Sequence, residues 1–560
     1  MCVVQMRAVA SLKGHPLAAA VIAAVAIAAA LASRAVWWAP LNVDEELTRR
    51  VATSPFGSIF HIVSAERGGG PLHFWIEHFT LEWPGGLVGL RGPSMLFFAL
   101  TLPAIALIAR ELAGTFAAVA AVLLTAVAPL AISYSTFGRP HALLLAFVEW
   151  GTWLGLRAGR RASRRDWILA GAVLGSSVFV HPTAPVYSLT AFAAVVLSTP
   201  RPPRAVAREA WPGLAALAVM FVPYYVKTLH VLSERYGIGS GTGGRTFSGR
   251  AVWMDALHAL APAPHLFNWF SAFALGGLLA LVVRRGWRAA TVPVLAIGLP
   301  VAFFSFVPTK GLSALFFDRY MLPALPSFLL LVAVGCATVA GWAGRARFVV
   351  LAILLAGLIT LETRVVLSRQ RQLGQLDLGR ISSLVAKQAR GAVLFGTTGS
   401  EDNTGNIGAF NFGRPPNLLD RYLQLRDPSV TLVDDDTCLP VVSFLATPAP
   451  ARHGIWIFYA ARPDEEALAR PALAAVPGVL VADPAPRYIL IRSKSALSAR
   501  GLVELGLELR RVWQRLVPGN PRVVDLVDGD SQALRDPAAC KGHGFLDDPD
   551  ISPNWPESVT

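Results

Sequence analysis

The chain has 560 residues, of which 54% are hydrophobic and only 15% charged, and its mean hydropathy is +0.50. A water-soluble globule of that composition would lack the polar surface to cover itself, so the ordinary soluble classes are excluded. The formal charge of +14 does not point to nucleic acid, because many of the basic residues are short arginine clusters between apolar segments, the pattern of loops held against anionic lipid.

Apolar segments of about 17–25 residues, enough to cross a hydrocarbon core of ~30 Å, recur from near the N-terminus to about residue 363. They must be helices, because lipid offers no partner to an unpaired backbone amide. The first, 17–31, follows Arg7 and Lys13 and carries a LASRA run that resembles a signal-peptidase site; it reads as an uncleaved signal anchor, since further membrane segments follow. The later segments are 87–109, 113–133, 140–156, 166–181, 184–199, 211–229, 266–283, 289–307, 320–342 and 348–363. The expected fold is therefore an all-α polytopic domain of about eleven transmembrane helices over 1–363, followed by a tail over 364–560.

Alternating these segments places Arg157, Arg160, Arg161, Arg164 and Arg165 on one side, with Arg201 to Arg208, Arg284, Arg285, Arg288, Arg345 and Arg347. The positive-inside rule makes that side cytoplasmic. The expected setting is a multi-pass protein of a bacterial cytoplasmic membrane, N-terminus inside and tail outside.

The tail has short β-prone runs at 392–395, 430–433, 455–459, 479–481 and 488–491, with helical patterns at 463–476 and 496–516. It reads as a small extracytoplasmic α/β domain with a Pro- and Asp-rich end. Asp434, Asp435 and Asp436 read as a solvated turn rather than a metal site. Four cysteines, Cys2, Cys336, Cys438 and Cys540, show no metal-ligand spacing. Cys438 and Cys540 both fall in the outer tail, where a disulfide is chemically permitted. The glycine-rich run 237–249 in an outer loop reads equally as a connector or as a lid.

Ionisable residues at membrane-segment edges are candidate functional groups, and here they concentrate on the outer side. The first outer loop, 38–86, begins with Asn42, Asp44, Glu45 and Glu46, continues through Glu66, Arg67, Pro71 and His73, and is followed by Arg91 and Ser94. The next outer turns supply Gly138, Arg139, Pro140 and His141, then His181, Pro182 and Thr183. Later edges supply Lys227, Lys310, Asp318, Arg319 and Tyr320. Carboxylates beside fixed cations suit one chemistry: a carboxylate takes the proton of an acceptor hydroxyl while arginines hold an anionic leaving group such as phosphate. Each residue also has a plainer role open to it. The arginines could anchor to headgroups, Asp44 could cap a helix, and the histidines could be structural.

Val43, Asp44 and Glu45, then Gly70, Pro71, His73 and Phe74, then Arg91, Pro93 and Ser94, resemble the first outer loop of bacterial GT-C glycosyltransferases, of the family-39-like and aminoarabinose-transferase-like kind. The stretch 128–143, with Gly138, Arg139, Pro140 and His141, looks like their second outer turn, and Asp318, Arg319, Tyr320, Pro323 and Pro326 are similar to their late signature. The likeness covers about residues 35–340 in order. It implies transfer of a hexosyl or pentosyl unit from a polyprenyl-phosphate donor to a cell-envelope acceptor, whether glycan, lipid or protein, with inversion at the anomeric carbon. It implies Asp44 as general base, with Glu45 assisting. Arg139 and Arg319 would bind the donor phosphate, and His73, Arg91, His141, His181 and Tyr320 would line the cavity. Lys310 is added to the phosphate ligands by its outer position alone. His141 and the pair Phe137–Gly138 depart from the family pattern, where tyrosine and an acidic–small pair are common. No cofactor beyond the lipid-linked donor is implied; a divalent metal is compatible but not required by a monophosphate held by arginines. The competing readings are a flippase for lipid-linked glycans, which would not need an acid just after its first helix, and a non-catalytic envelope assembly protein.

Overall fold

The computed structural model describes residues 16–38, 43–63, 70–236, 249–309, 318–375, 391–399, 431–433, 438–460, 463–485, 488–516 and 521–540. The chain falls into two compact units, Met1–Val36 with Leu47–Gln370, and Trp37–Glu46 with Arg371–Thr560.

The first unit is built of helices. Among the described residues a helix covers each apolar segment expected from the sequence. Seven are long and apolar enough to cross a membrane, or up to eight if the bent pair Thr115–Val127 and Pro129–Ser135 forms one span. That pair bends by 58°. Its cause is local: Pro129 brings no N–H to the first turn, and Ala128 before it is extended at φ −62 and ψ 128. The three remaining segments fall short for identifiable reasons. His141–Arg161 carries Glu149 and three arginines, whereas Arg164–Ser176 and Ala184–Ser198 are 13 and 15 residues long.

The helix Leu325–Trp342 runs through the middle of this unit and buries most of its residues. Pro326 sits in its first turn, where a missing N–H costs nothing. Its closest partner is Phe267–Arg285. A Cβ on Gly277 would stand 1.9 Å from the Leu331 carbonyl oxygen, and one on Gly335 would stand 2.1 Å from that of Phe273. With little hydrophobic drive between helices in lipid, such backbone-to-backbone approach supplies the packing, and only glycine permits it.

The arginine clusters collect at one end. Arg160 pairs with Glu111, Arg157 Nε lies 3.2 Å from Asp166, and Arg288 donates to the Thr199 carbonyl at 3.3 Å. Ala162, in the left-handed region at φ 56, ends the helix His141–Arg161, and the Ser163 hydroxyl then accepts the Asp166 N–H at 3.2 Å to cap the next.

The second unit carries a five-stranded sheet in the order β2-β1-β3-β5-β4, formed by β1 Val393–Gly399, β2 Thr431–Val433, β3 Gly454–Tyr459, β4 Val479–Ala485 and β5 Tyr488–Ser493. β1 pairs in parallel with β2 and β3, while β5 pairs antiparallel with β3 and β4. All five strands lie on the β-prone runs of the sequence. Helices Pro463–Ala474 and Ala499–Leu516 occupy the helical patterns, and Cys438–Ala446 and Pro521–Arg535 are additional.

Ala499–Leu516 buries Leu502, Leu505, Leu509 and Trp513, one helical face, in the same core as the sheet, where Trp513 stands 5.2 Å from Phe458. Arg510 on the same helix is fully buried and pairs with Asp530 of Pro521–Arg535. Burial pushes the Asp530 carboxyl above its ordinary range, and the Arg510 charge and hydrogen bond oppose that rise. Cys540 is disulfide-bonded and Cys336 is free and buried. The side chain of Cys438 lies outside the described residues, as do Cys2 and Asp434 to Asp436.

Candidate functional site

The end of the first unit opposite the arginine clusters gathers most of the residues the sequence singled out. Arg91 stands near the start of the helix Gly86–Ala113 and Glu111 near its end. Twenty residues at 1.5 Å each separate the two regions by about 30 Å.

Arg139 occupies the short turn after Pro129–Ser135. Its backbone N–H donates to the Phe137 carbonyl at 2.7 Å, and the Ser94 hydroxyl lies 2.7 Å from the Phe137 carbonyl and 3.2 Å from that of Arg139. Gly138 packs on Leu90, whose Cγ would stand 2.8 Å from a Cβ there. The turn is thus pinned to the helix Gly86–Ala113, and Arg139 is held by its own backbone. Its Nη1 donates to the Thr48 hydroxyl at 3.3 Å. Thr48 is buried in the helix Val43–Ala52. Asp44 lies one turn earlier in that same helix, in its first turn, where a carboxylate is favoured by the helix dipole. Asp44 is half-buried and Glu45 is buried.

His73 lies in the helix Leu72–Glu82, which the preceding Gly70 brings against the chain at Phe179: a Cβ on Gly70 would stand 2.0 Å from the Phe179 carbonyl carbon. His73 Nε2 approaches Glu77 Oε1 at 3.3 Å, and both side chains are buried. Burial, aided by the nearby Arg139 charge, pushes the His73 imidazole down to about 3, so the ring is neutral at physiological pH.

His141 begins its helix within electrostatic reach of His181, Arg319, Arg139 and His73. Its ring lies 5.5 Å from Tyr134, 5.1 Å from His181 and stacks on Phe137 at 6.5 Å. His181 Nδ1 accepts the Thr183 N–H at 3.2 Å, so a neutral His181 ring carries its proton on Nε2.

Tyr320 completes the group. Its ring stacks on Phe304 at 5.0 Å, lies 6.3 Å from His181, and has the Arg319 guanidinium 5.9 Å above it. Pro323 leaves the Tyr320 carbonyl without the N–H that the 3₁₀ turn Asp318–Ala324 would otherwise supply, and the Tyr187 hydroxyl donates to it instead.

The structure therefore brings His73, Arg139, His141, His181, Arg319 and Tyr320 into one neighbourhood from segments about 250 residues apart. Arg91 is placed differently. It is buried and its Nη1 donates to the Val36 carbonyl at 2.8 Å, fastening the end of the first helix. Lys310, Glu66, Arg67 and the run 237–248 lie outside the described residues, and so do the side chains of Lys227 and Asp318. Thr48, Glu77 and Tyr187 join the site without having been marked in the sequence; the i, i+4 spacing of His73 and Glu77 was the available signal for one of them. No cluster of three or more His, Cys, Asp or Glu able to hold a metal occurs among the described residues.

The architecture is that of the GT-C membrane glycosyltransferase fold. Over 84% of this chain and 97% of the other, it superposes on ArnT from Cupriavidus metallidurans in the apo state with a TM-score of 0.50 and 15% identity. The same figures hold for that protein bound to undecaprenyl phosphate. The archaeal oligosaccharyltransferase AglB from Archaeoglobus fulgidus, in complex with an inhibitory peptide and a dolichol-phosphate, matches with a TM-score of 0.46 and 13% identity over 67% of this chain and 58% of that one. Residues 69–226 match the family model described as dolichyl-phosphate-mannose-protein mannosyltransferase. No curated protein sequence matches the chain.

Proposed function

We propose that this protein transfers a sugar from a polyprenyl-phosphate donor to an acceptor hydroxyl on the non-cytoplasmic side of a bacterial cytoplasmic membrane. The observation that carries this reading is the convergence of two arginines, Arg139 and Arg319, on His141 at the end of the bundle opposite the arginine clusters. Guanidinium groups are the side chains best suited to a phosphate monoanion or dianion, and their charge is most useful as charge grows on the departing phosphate. The positive-inside rule assigns the arginine-cluster end to the cytoplasm, which leaves the candidate site outside. The GT-C fold, the mannosyltransferase family model over 69–226 and the undecaprenyl phosphate bound by the similar ArnT support the same substrate class.

Asp44 is the proposed general base. Its carboxylate takes the acceptor proton as the acceptor oxygen attacks the anomeric carbon, and the bond to the phosphate oxygen breaks on the opposite face. One displacement of this kind inverts the configuration. Glu45 supports the base. Neutral His73, with Glu77 beside it, shapes the wall next to Arg139 without adding a competing positive charge. Lys310, from its sequence position, joins the phosphate ligands. The C-terminal unit is assigned to acceptor recognition, and the Cys540 disulfide suits an oxidising compartment.

Asp44→Asn tests the assignment. Purified variant should bind a polyprenyl-phospho-sugar with near-normal affinity yet lose about 10²–10⁴-fold in transfer rate. Near-normal turnover would sink it. Arg139→Ala should instead weaken donor binding.

A further inference from the structure

A second polar place lies inside the first unit and adjoins the site just described through Tyr187. Glu149 sits midway along the helix His141–Arg161, only 6% exposed, on a small cavity of about 30 Å³, room for one water-sized occupant. No cationic side chain pairs with it among the described residues. A carboxyl in such a position is costly and marks a functional place by default.

The other polar groups of this cavity are oxygens with their donors already engaged. The Thr152 hydroxyl donates to the Val148 carbonyl at 2.7 Å and the Thr190 hydroxyl donates to that of Val186, so each presents only lone pairs to the cavity. Ala296 also lines it, and Pro300 four residues later supplies no N–H to the Ala296 carbonyl. Ser327 adds a further hydroxyl. The set is one carboxylate and several neutral oxygens, without nitrogen or sulfur.

We infer that this cavity is a binding site for one hard monovalent cation, with sodium as the ligand of choice. An all-oxygen donor set selects hard cations over transition metals. A single carboxylate matches a single positive charge, whereas a divalent ion would ordinarily draw a second acid. Backbone carbonyls freed from a helix are a recurrent source of alkali-ion ligands inside membrane proteins. The site does not depend on the sugar-transfer reading, but it communicates with that end of the bundle. Tyr187 lines the cavity and donates to the Tyr320 carbonyl, so occupancy braces the turn that carries Arg319.

The test is equilibrium binding of radioactive sodium to the full-length protein in lipid nanodiscs, with choline chloride holding ionic strength constant. Wild type should bind saturably with one ion per chain, and sodium over choline should raise the thermal unfolding midpoint. Glu149→Gln should abolish both effects. Thr152→Val and Thr190→Val, which keep shape and add no charge, should each weaken sodium affinity about fivefold, and they carry the test if Glu149→Gln does not fold. Absence of saturable sodium binding by the wild type, or sodium affinity unchanged in the threonine variants, would overturn the proposal. Loss of sodium binding with sugar transfer intact would leave the transfer assignment standing, and the reverse holds for Asp44→Asn.

Discussion

Leu480 on β4 and Leu275 in the helix Phe267–Arg285 are similarly exposed in the structure, at 53% and 62%. In the C-terminal unit, such a leucine is an isolated apolar residue on a sheet edge whose core faces the other way. In the membrane unit Leu275 has many companions, among them Leu96, Leu279 and Val283, and together they form the face that lipid covers. Buried charge differs in the same way. Arg510 and Asp530 neutralise one another inside the C-terminal core, whereas Glu149 has no cationic partner among the described residues and His73 is kept neutral beside Arg139.

The strongest way to break this comparison is to open the closed pair. Arg510→Ala leaves Asp530 buried and unpaired and should cost the C-terminal unit about 3–5 kcal/mol. Adding Asp530→Ala should recover a substantial part of that loss, measured by denaturant unfolding as a double-mutant cycle; strict additivity would contradict the pairing.

The two leucines come next. Leu275→Lys places a charge in the lipid-facing midsection of a span and should cost about 2.5–3.5 kcal/mol of membrane insertion, read from the fraction of protein integrated in membranes. The same change at Leu480 should move stability by less than about 0.5 kcal/mol. Equal effects at the two positions would erase the distinction between their solvents.

Acid provides a third measurement. His73 is held at about 3 in the folded protein against an ordinary 6.5. Its folded value is depressed, so the unfolded chain binds the proton first and stability is lost as pH falls below about 6.5 toward 3. By pH 5 the loss should be about 2 kcal/mol, and His73→Gln should flatten that slope in thermal melts between pH 7 and pH 5.

Much of the fold is legible in the sequence because both units announce their solvent. Long apolar runs specify helices wherever water is absent, and the runs at 455–459 and 488–491 became the central strands β3 and β5. The helix Cys438–Ala446 was not legible, since a nine-residue apolar stretch with adjacent valines fits a strand as well as a helix, and packing against the helix Pro521–Arg535, itself packed on Ala499–Leu516, decides it. The break at Ala128–Pro129 was visible only as a proline within an apolar run; the 58° bend it makes there was not.

For the candidate site, polarity at the ends of apolar runs marked His73, Arg139, His141, His181, Arg319 and Tyr320. Glu149 stood in plain view as a lone acid in an apolar helix, but nothing in its own neighbourhood of sequence told which oxygens would surround it. By itself the sequence determined which segments form apolar helices and which polar residues stand at their ends, because both are read along a local stretch. Only the tertiary structure decided that Arg139 meets Thr48, that Tyr187 reaches the Tyr320 carbonyl, and that Arg91 fastens a helix end, because those contacts join residues separated by up to 133 positions. Long-range pairing depends on how whole helices cross, and no local pattern encodes that.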